Sequence, residues 1–297
     1  MPSSPKKKTP PCSSTHPRKR PVPLVNAEMH ARKIAEAVES AWHGAYGSGR
    51  FDVPLSVIAT LAALPQKDSH GHDAADAASE WTADEFVDYA RHTWRSITRA
   101  RPETIHLLYP LIAWIFDDAE TSVHPHAHAV AQAALRAGQP DLTGTDRRFD
   151  TDLLGNVLMV LRPKSALQAQ GQFYTPADIS KLIAQMVGLD GSSDVLEPMM
   201  GTGGMLRAAA EVMREEGRDP RSVRWVGCDI DEIAVACATV NSMIWGLGSD
   251  IVFYGGNALT LGWEGRALAQ REHLRQVAAG VERSRKLLAL IAATQRQ

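Results

Sequence analysis

The sequence predicts an α/β unit built on a short parallel sheet, preceded by an all-helical region. Three observations carry this expectation. From Asn26 to Leu161 the apolar residues recur at helical spacing. From Asp194 to Tyr254 short apolar runs alternate with helix-length segments, the pattern of βαβ units. Between the first run and the helix after it stands Gly201-Thr202-Gly203-Gly204, where a strand has to turn sharply.

Taken in order, residues 1–25 are rich in Pro, Ser, Lys and Arg and poor in large apolar side chains, so a disordered basic tail is expected. A helical domain is expected over 26–150. Ile34, Val38 and Trp42 form one stripe, and a short helix opens near Pro54 and ends before Pro65. Thr82-Ala83-Asp84-Glu85 is a capping-box sequence, followed by Phe86, Tyr89, Ala90, Trp94 and Ile97 on one face. Pro102 suits the start of the next helix, which Pro110 should kink. A further helix runs from about His126 to Gly138, and Leu153, Val157, Leu158 and Leu161 form the last stripe.

The α/β domain is placed at 151–262. Its strands are expected at Asp194–Leu196, Val223–Gly227 and Ile251–Tyr254, with helices at 177–189, 204–216 and 232–245. A C-terminal amphipathic helix over 263–297 carries Leu268, Leu274, Val277, Val281, Leu287, Leu288 and Ile291. Three strands make only half of a doubly wound sheet, in which the first strand is central. Its outer edge therefore needs a cover, either the C-terminal helix or a partner chain.

Composition narrows the function classes. With 297 residues and 44% hydrophobic content the chain can build a real core. A net charge of −2 argues against a strong autonomous nucleic-acid binder, although the tail and the Arg-rich C-terminal segment are locally basic. No apolar run is long enough to span a membrane, and the basic N-terminus lacks the apolar stretch of a secretory signal, so the cytoplasm is the expected compartment. Cys12, Cys228 and Cys237 have no metal spacing and are expected as reduced thiols. His124, His126 and His128 are expected on a helix surface, and His70, His72 and Asp73 in a loop. Trp42, Trp81, Trp94, Trp114 and Trp263 are expected to pack.

The chemistry-bearing residues lie at the predicted strand ends. Glu197 closes the first strand, and Gly201 and Gly203 shape the turn after it. Asp229 closes the second strand, placed to accept hydrogen bonds from two ribose hydroxyls, and Asn257 follows the third. A Gly-rich turn beside two carboxylates repels a pyrophosphate and favours a cationic nucleoside. Upstream, Gly171-Gln172-Phe173-Tyr174-Thr175-Pro176 precedes a helix, with Thr175 as the expected N-cap and Pro176 as its first residue. The free N–H groups there suit a carboxylate.

These two stretches, with Asp152-Leu153-Leu154-Gly155, resemble the cofactor site of adenine-N6 DNA methyltransferases, especially the modification subunits of type I restriction systems. The resemblance runs from about Asp152 to Leu259. It implies a shortened Rossmann-like methyltransferase domain that binds S-adenosylmethionine (SAM), whose two cations agree with the charge argument. It also implies that Phe173, Tyr174 and Thr175 lie on the methionine portion. Glu197, Gly201 and Gly203 then form the Asp-Pro-x-x-Gly-x-Gly-Gly turn, with Glu in place of Asp. Asp229 holds the ribose, and Asn257 meets the adenine amino group. Met199 and Met200 replace small residues and are expected to narrow the pocket. DNA is the implied substrate, and the implied partners are a specificity subunit or a second methyltransferase chain.

One departure bears on catalysis. After Pro11 the chain has no Pro-Pro pair, so the family's Asn/Asp-Pro-Pro-aromatic motif is absent and no catalytic residue is assigned. Three readings follow: a methyltransferase-family protein that is truncated or needs a second chain, a non-catalytic SAM-binding or DNA-associated subunit, and a small-molecule methyltransferase. The Gly171–Pro176 loop weighs against the third.

Overall fold

The computed structural model describes residues 26–47, 49–162, 175–189, 191 and 194–294. The basic tail, Cys12, Phe173 and Tyr174 lie outside them.

The helical region comprises α1 (Ala27–Ala45), α2 (Asp52–Ala62), α3 (Ala74–Ser79), α4 (Ala83–Ala100), α5 (Ile105–Phe116), α6 (His124–Ala137), α7 (Gln139–Thr143) and α8 (Leu153–Leu161). Asn26 caps α1 through its side chain, and the Thr82–Glu85 capping box forms at α4. Pro110 sits inside α5, which continues past it. Gly138 ends α6 in the left-handed conformation, which only glycine adopts cheaply. Trp42, Trp94 and Trp114 are buried. The Trp42 Nε1 donates to the Gly49 carbonyl at 3.0 Å and the Trp94 Nε1 to Thr60 Oγ1 at 2.9 Å, so neither indole is buried with its polar end unmet.

Two sequence expectations change here. His124 is buried, its ring 6.3 Å from that of Trp114, because the start of α6 packs inward; His126 is half-buried. Asp73 is no mere loop residue: its side chain caps α3. No group of three metal-binding side chains occurs among the described residues. No described helix is long and apolar enough to cross a membrane.

The second region contains α9 (Ala177–Val187), β1 (Asp194–Glu197), α10 (Gly204–Glu215), β2 (Arg224–Asp229), α11 (Glu232–Ile244), β3 (Ile251–Gly255) and α12 (Trp263–Thr294). The strands are parallel in the order β1-β2-β3, with Leu196 opposite Val226 and Val226 opposite Val252. Helix α11 is apolar on several faces and is buried accordingly. Ala234, Ala236, Cys237 and Val240 join the helical core, while Val235 and Ala238 join the core under the sheet. Cys228 and Cys237 are buried, and burial pushes both thiols up. Trp263 and Ala267 of α12 cover Val226, Cys228 and Val252 on the other sheet face. The long helix thus packs beside β3 and does not cover the outer edge of β1, as the sequence had allowed.

Candidate cofactor site at the carboxyl ends of the strands

Parallel pairing puts all three strand ends on one side of the sheet. Glu197 lies opposite Gly227, Asp229 lies opposite Gly255, and the Gly256 N–H donates to the Asp229 carbonyl at 2.8 Å. Asp229 is tied to the glycine turn. Its Oδ2 accepts from the Gly201 N–H at 2.8 Å and its Oδ1 from the Asp231 N–H at 2.9 Å. Each oxygen retains a second acceptor site. Glu197 Oε1 accepts from the Met199 N–H at 3.1 Å, and Asn257 Oδ1 from the Leu259 N–H at 2.9 Å. Among the described residues no Lys or Arg pairs with Glu197 or Asp229.

The glycines have distinct reasons. Gly201 (φ 54°) and Gly203 (φ 95°) both adopt positive φ, where a side chain is strained. Beside Gly201 there is open space, so a ligand can reach its backbone; at Gly203 a Cβ would press on the Trp245 ring at 3.1 Å.

Asp152 holds this turn from below. Its Oδ2 accepts from Thr202 Oγ1 at 2.5 Å, and its Oδ1 accepts from the Gly155 N–H at 2.7 Å and Asn241 Nδ2 at 2.8 Å. Asn241 Nδ2 also reaches the Thr202 carbonyl. Desolvation of this enclosed carboxyl raises it above the ordinary aspartate value, against the pull of those three donors. The network joins α8 and α11 to the loop that would meet a ligand. Sequence reading gave Asp152 and Gly155 no role beyond a shared motif. The missed signal was Gly155 itself, where a Cβ would overlap Asp152 Oδ2 at 2.2 Å.

Two site expectations are corrected. Thr175 does not cap α9: Pro176 occupies the N-cap position, no side-chain cap is formed, and Thr175 is exposed. A proline before the helix holds the extended backbone that a cap needs, so the helix starts one residue later. Met200 does not narrow a pocket. It is 4% exposed, and its sulfur lies against Gly227, where a Cβ would approach it to 2.3 Å. Only Met199, 79% exposed, borders the open side. A cavity of about 240 Å³ lies elsewhere, between Leu64, Asp73, Gly138 and Thr145 in the helical region. The strand ends form an open shelf.

Residues 150–278 match the family model described as N-6 DNA Methylase, a range containing the whole sheet, the glycine turn and Asp152. This stretch is similar to the N-6 DNA methylase family. The methylase segment is also similar to a type I restriction enzyme methylase subunit, MjaIX, of Methanocaldococcus jannaschii, at 35% identity over 81 residues. That alignment covers 27% of this chain and 14% of the relative, so the chain spans a small part of the relative's length.

Proposed function

We propose that the matched segment binds SAM at the strand ends and serves adenine-N6 methylation of DNA, with the base-holding residues supplied from outside this sequence, by the rest of a longer chain or by a second chain. The observation that carries this reading is the pair of carboxylates without cation partners, Glu197 and Asp229, linked through the glycine turn. A cluster of negative charge favours a ligand with an ammonium and a sulfonium over one with phosphates.

Within this reading Asp229 uses its remaining acceptor sites for the ribose hydroxyls, and Asn257 meets the adenine through its amide. Glu197 faces the methionyl end, together with the α9 N-terminus and Phe173, Tyr174 and Thr175. Gly201 and Gly203 let the ligand lie against bare backbone. SAM, when bound, supplies an electrophilic methyl group. The acceptor amine needs its lone pair free, which calls for hydrogen-bond acceptors on its protons and an aromatic face under the flipped base. After Asn257 the chain has no Asn/Asp-Pro-Pro-aromatic sequence, and its nearest aromatic, Trp263, is packed under β2 and β3.

Isothermal titration of the full chain with SAM is the test. Wild type is expected to bind, with Asp229→Ala weakening affinity by roughly tenfold or more, the loss of charged hydrogen bonds worth about 1.5–3 kcal/mol. Equal binding by both proteins would remove the site assignment. Adenine methylation by the purified chain alone would remove the need for residues from outside this sequence.

A further inference from the structure

We propose that Asp152 is a positioning residue for the cofactor site: it holds Thr202 from beneath and so sets the glycine turn for a ligand before one arrives. The inference rests on the reading of the strand ends as a SAM site, and its test includes a measurement that needs no ligand.

Each residue of the turn is tied to a different place. The Gly201 N–H donates to Asp229 Oδ2 at 2.8 Å, which fixes it to the end of β2. The Gly203 N–H donates to the Met200 carbonyl at 2.8 Å, and Gly203 lies against the Trp245 ring. Thr202, between them, is held twice. Its hydroxyl donates to Asp152 Oδ2 at 2.5 Å, and its carbonyl accepts from Asn241 Nδ2 at 2.9 Å. Thr202 is 2% exposed, so its side chain points into the protein, while a Cβ on Gly201 would meet only open space. With Thr202 drawn down, the open side of the turn offers the bare main chain of Gly201.

A carboxylate is a costly group to place here. Burial disfavours its charged form, and an apolar side chain would fill the same volume without that penalty. What the carboxylate adds is direction. Asp152 Oδ1 accepts from the Gly155 N–H at 2.7 Å and from Asn241 Nδ2 at 2.8 Å, and Oδ2 accepts from the Thr202 hydroxyl. One group thus orients donors from α8, from α11 and from the turn. The space around it is matched to that task. A Cβ on Gly155 would come within 2.2 Å of Asp152 Oδ2 and 2.8 Å of Thr202 Oγ1, so glycine at 155 lets the carboxylate and the hydroxyl meet.

The segment that carries Asp152 is itself anchored on two sides. Glu28 of α1 accepts from Thr151 Oγ1 at 2.6 Å and from Asn156 Nδ2 at 2.9 Å. Trp245 Nε1 donates to the Thr151 carbonyl at 3.1 Å, and the same ring supports Gly203. Asp152 is therefore the fixed partner and Thr202 the one that is placed. A ligand that meets a turn already in position avoids the ordering penalty that a loose loop would impose. Glu28 carries the same support back to the first helix of the helical region.

The test compares the full chain with Asp152→Asn, Thr202→Val, Thr202→Ser and Glu28→Ala. Valine keeps the shape of threonine and removes its donor; serine keeps the donor. The first measurement is amide hydrogen exchange without ligand, read at Gly201 and Gly203, with the amides of α4 as internal control. Asp152→Asn and Thr202→Val are expected to speed exchange at the turn by roughly tenfold and to leave α4 unchanged, as weakening a hydrogen bond to a charged group would. Thr202→Ser should stay within about threefold of wild type, and Glu28→Ala should fall between. SAM titration of the same proteins should rank them in the same order. Should Asp152→Asn fail to fold, Thr202→Val, which leaves the carboxylate in place, carries the test. Turn exchange equal to wild type in both variants would overturn the proposal. So would equal acceleration at the turn and in α4, which would make Asp152 a general stabiliser, or a Thr202→Ser protein as impaired as Thr202→Val. The two readings separate cleanly. If wild type binds SAM through Asp229 and Thr202→Val binds it equally well, the positioning role falls and the site stands. If no protein binds SAM but turn exchange still depends on Asp152, the cofactor reading falls and the hold on the turn remains.

Discussion

The two outer strands of the sheet are treated differently. At β3, Val252 is buried beneath Trp263 and Ala267. The Asp250 carboxylate just before it accepts from Arg271 at 2.7 Å and pairs with Arg224 at 3.3 Å. Arg101 and Arg271 donate to the carbonyls of Gly248 and Ser249 at 3.2 Å each. At β1, exposed and half-buried residues alternate, Leu196 is half exposed, and Asp194 approaches a cation only at 3.9 Å. Both are short strands, but β1 reads Asp-Val-Leu-Glu and β3 Ile-Val-Phe-Tyr-Gly. The difference shows that α12 and the arginines cover one flank, while among the described residues the other is left uncovered.

The strongest way to break that comparison is at the covered flank. Trp263→Ala should destabilise the protein by about 3–5 kcal/mol, the usual cost of emptying a buried aromatic site. Urea unfolding monitored by circular dichroism would show it, and a loss under about 1 kcal/mol would mean that α12 does not seal the sheet.

A smaller effect is expected at the ion pairs. Burial acts to raise the Asp250 carboxyl, but Arg271 and Arg224 outweigh it and hold it below the ordinary aspartate range. A depressed carboxyl stabilises the fold above its unfolded value and loses that contribution as pH falls through its folded value. Arg271→Ala should therefore cost up to about 1 kcal/mol at neutral pH, given the partial exposure of Asp250. The difference from wild type should shrink as the pH is lowered past about 3.9. A gap that stayed constant with pH would show that the Arg271 stem, and not its charge, is what matters.

The smallest effect sharpens the contrast. Leu196→Ala in the isolated chain should change stability by no more than about 0.5 kcal/mol, as for an exposed surface position. A cost comparable to that of Trp263→Ala would show the β1 flank to be covered.

Much of the fold was legible in the residues. The stripe of Ile34, Val38 and Trp42, the Thr82 capping box and Gly138 each state a local rule that the chain obeys. The three strand ends were legible as well, because a Gly-rich turn and an acid after a short apolar run are local signals. What the sequence by itself determined was where the longer helices and the three strands lie, to within a few residues, and that Glu197, Asp229 and Asn257 close or follow three parallel strands. Only the tertiary structure decided that Met200 packs on Gly227, that Asp152 reaches Thr202 and Asn241, that α12 lies beside β3, and that β1 and α9 face outward. Local spacing fixes which face of an element is apolar, but what that face meets depends on residues far away in the chain.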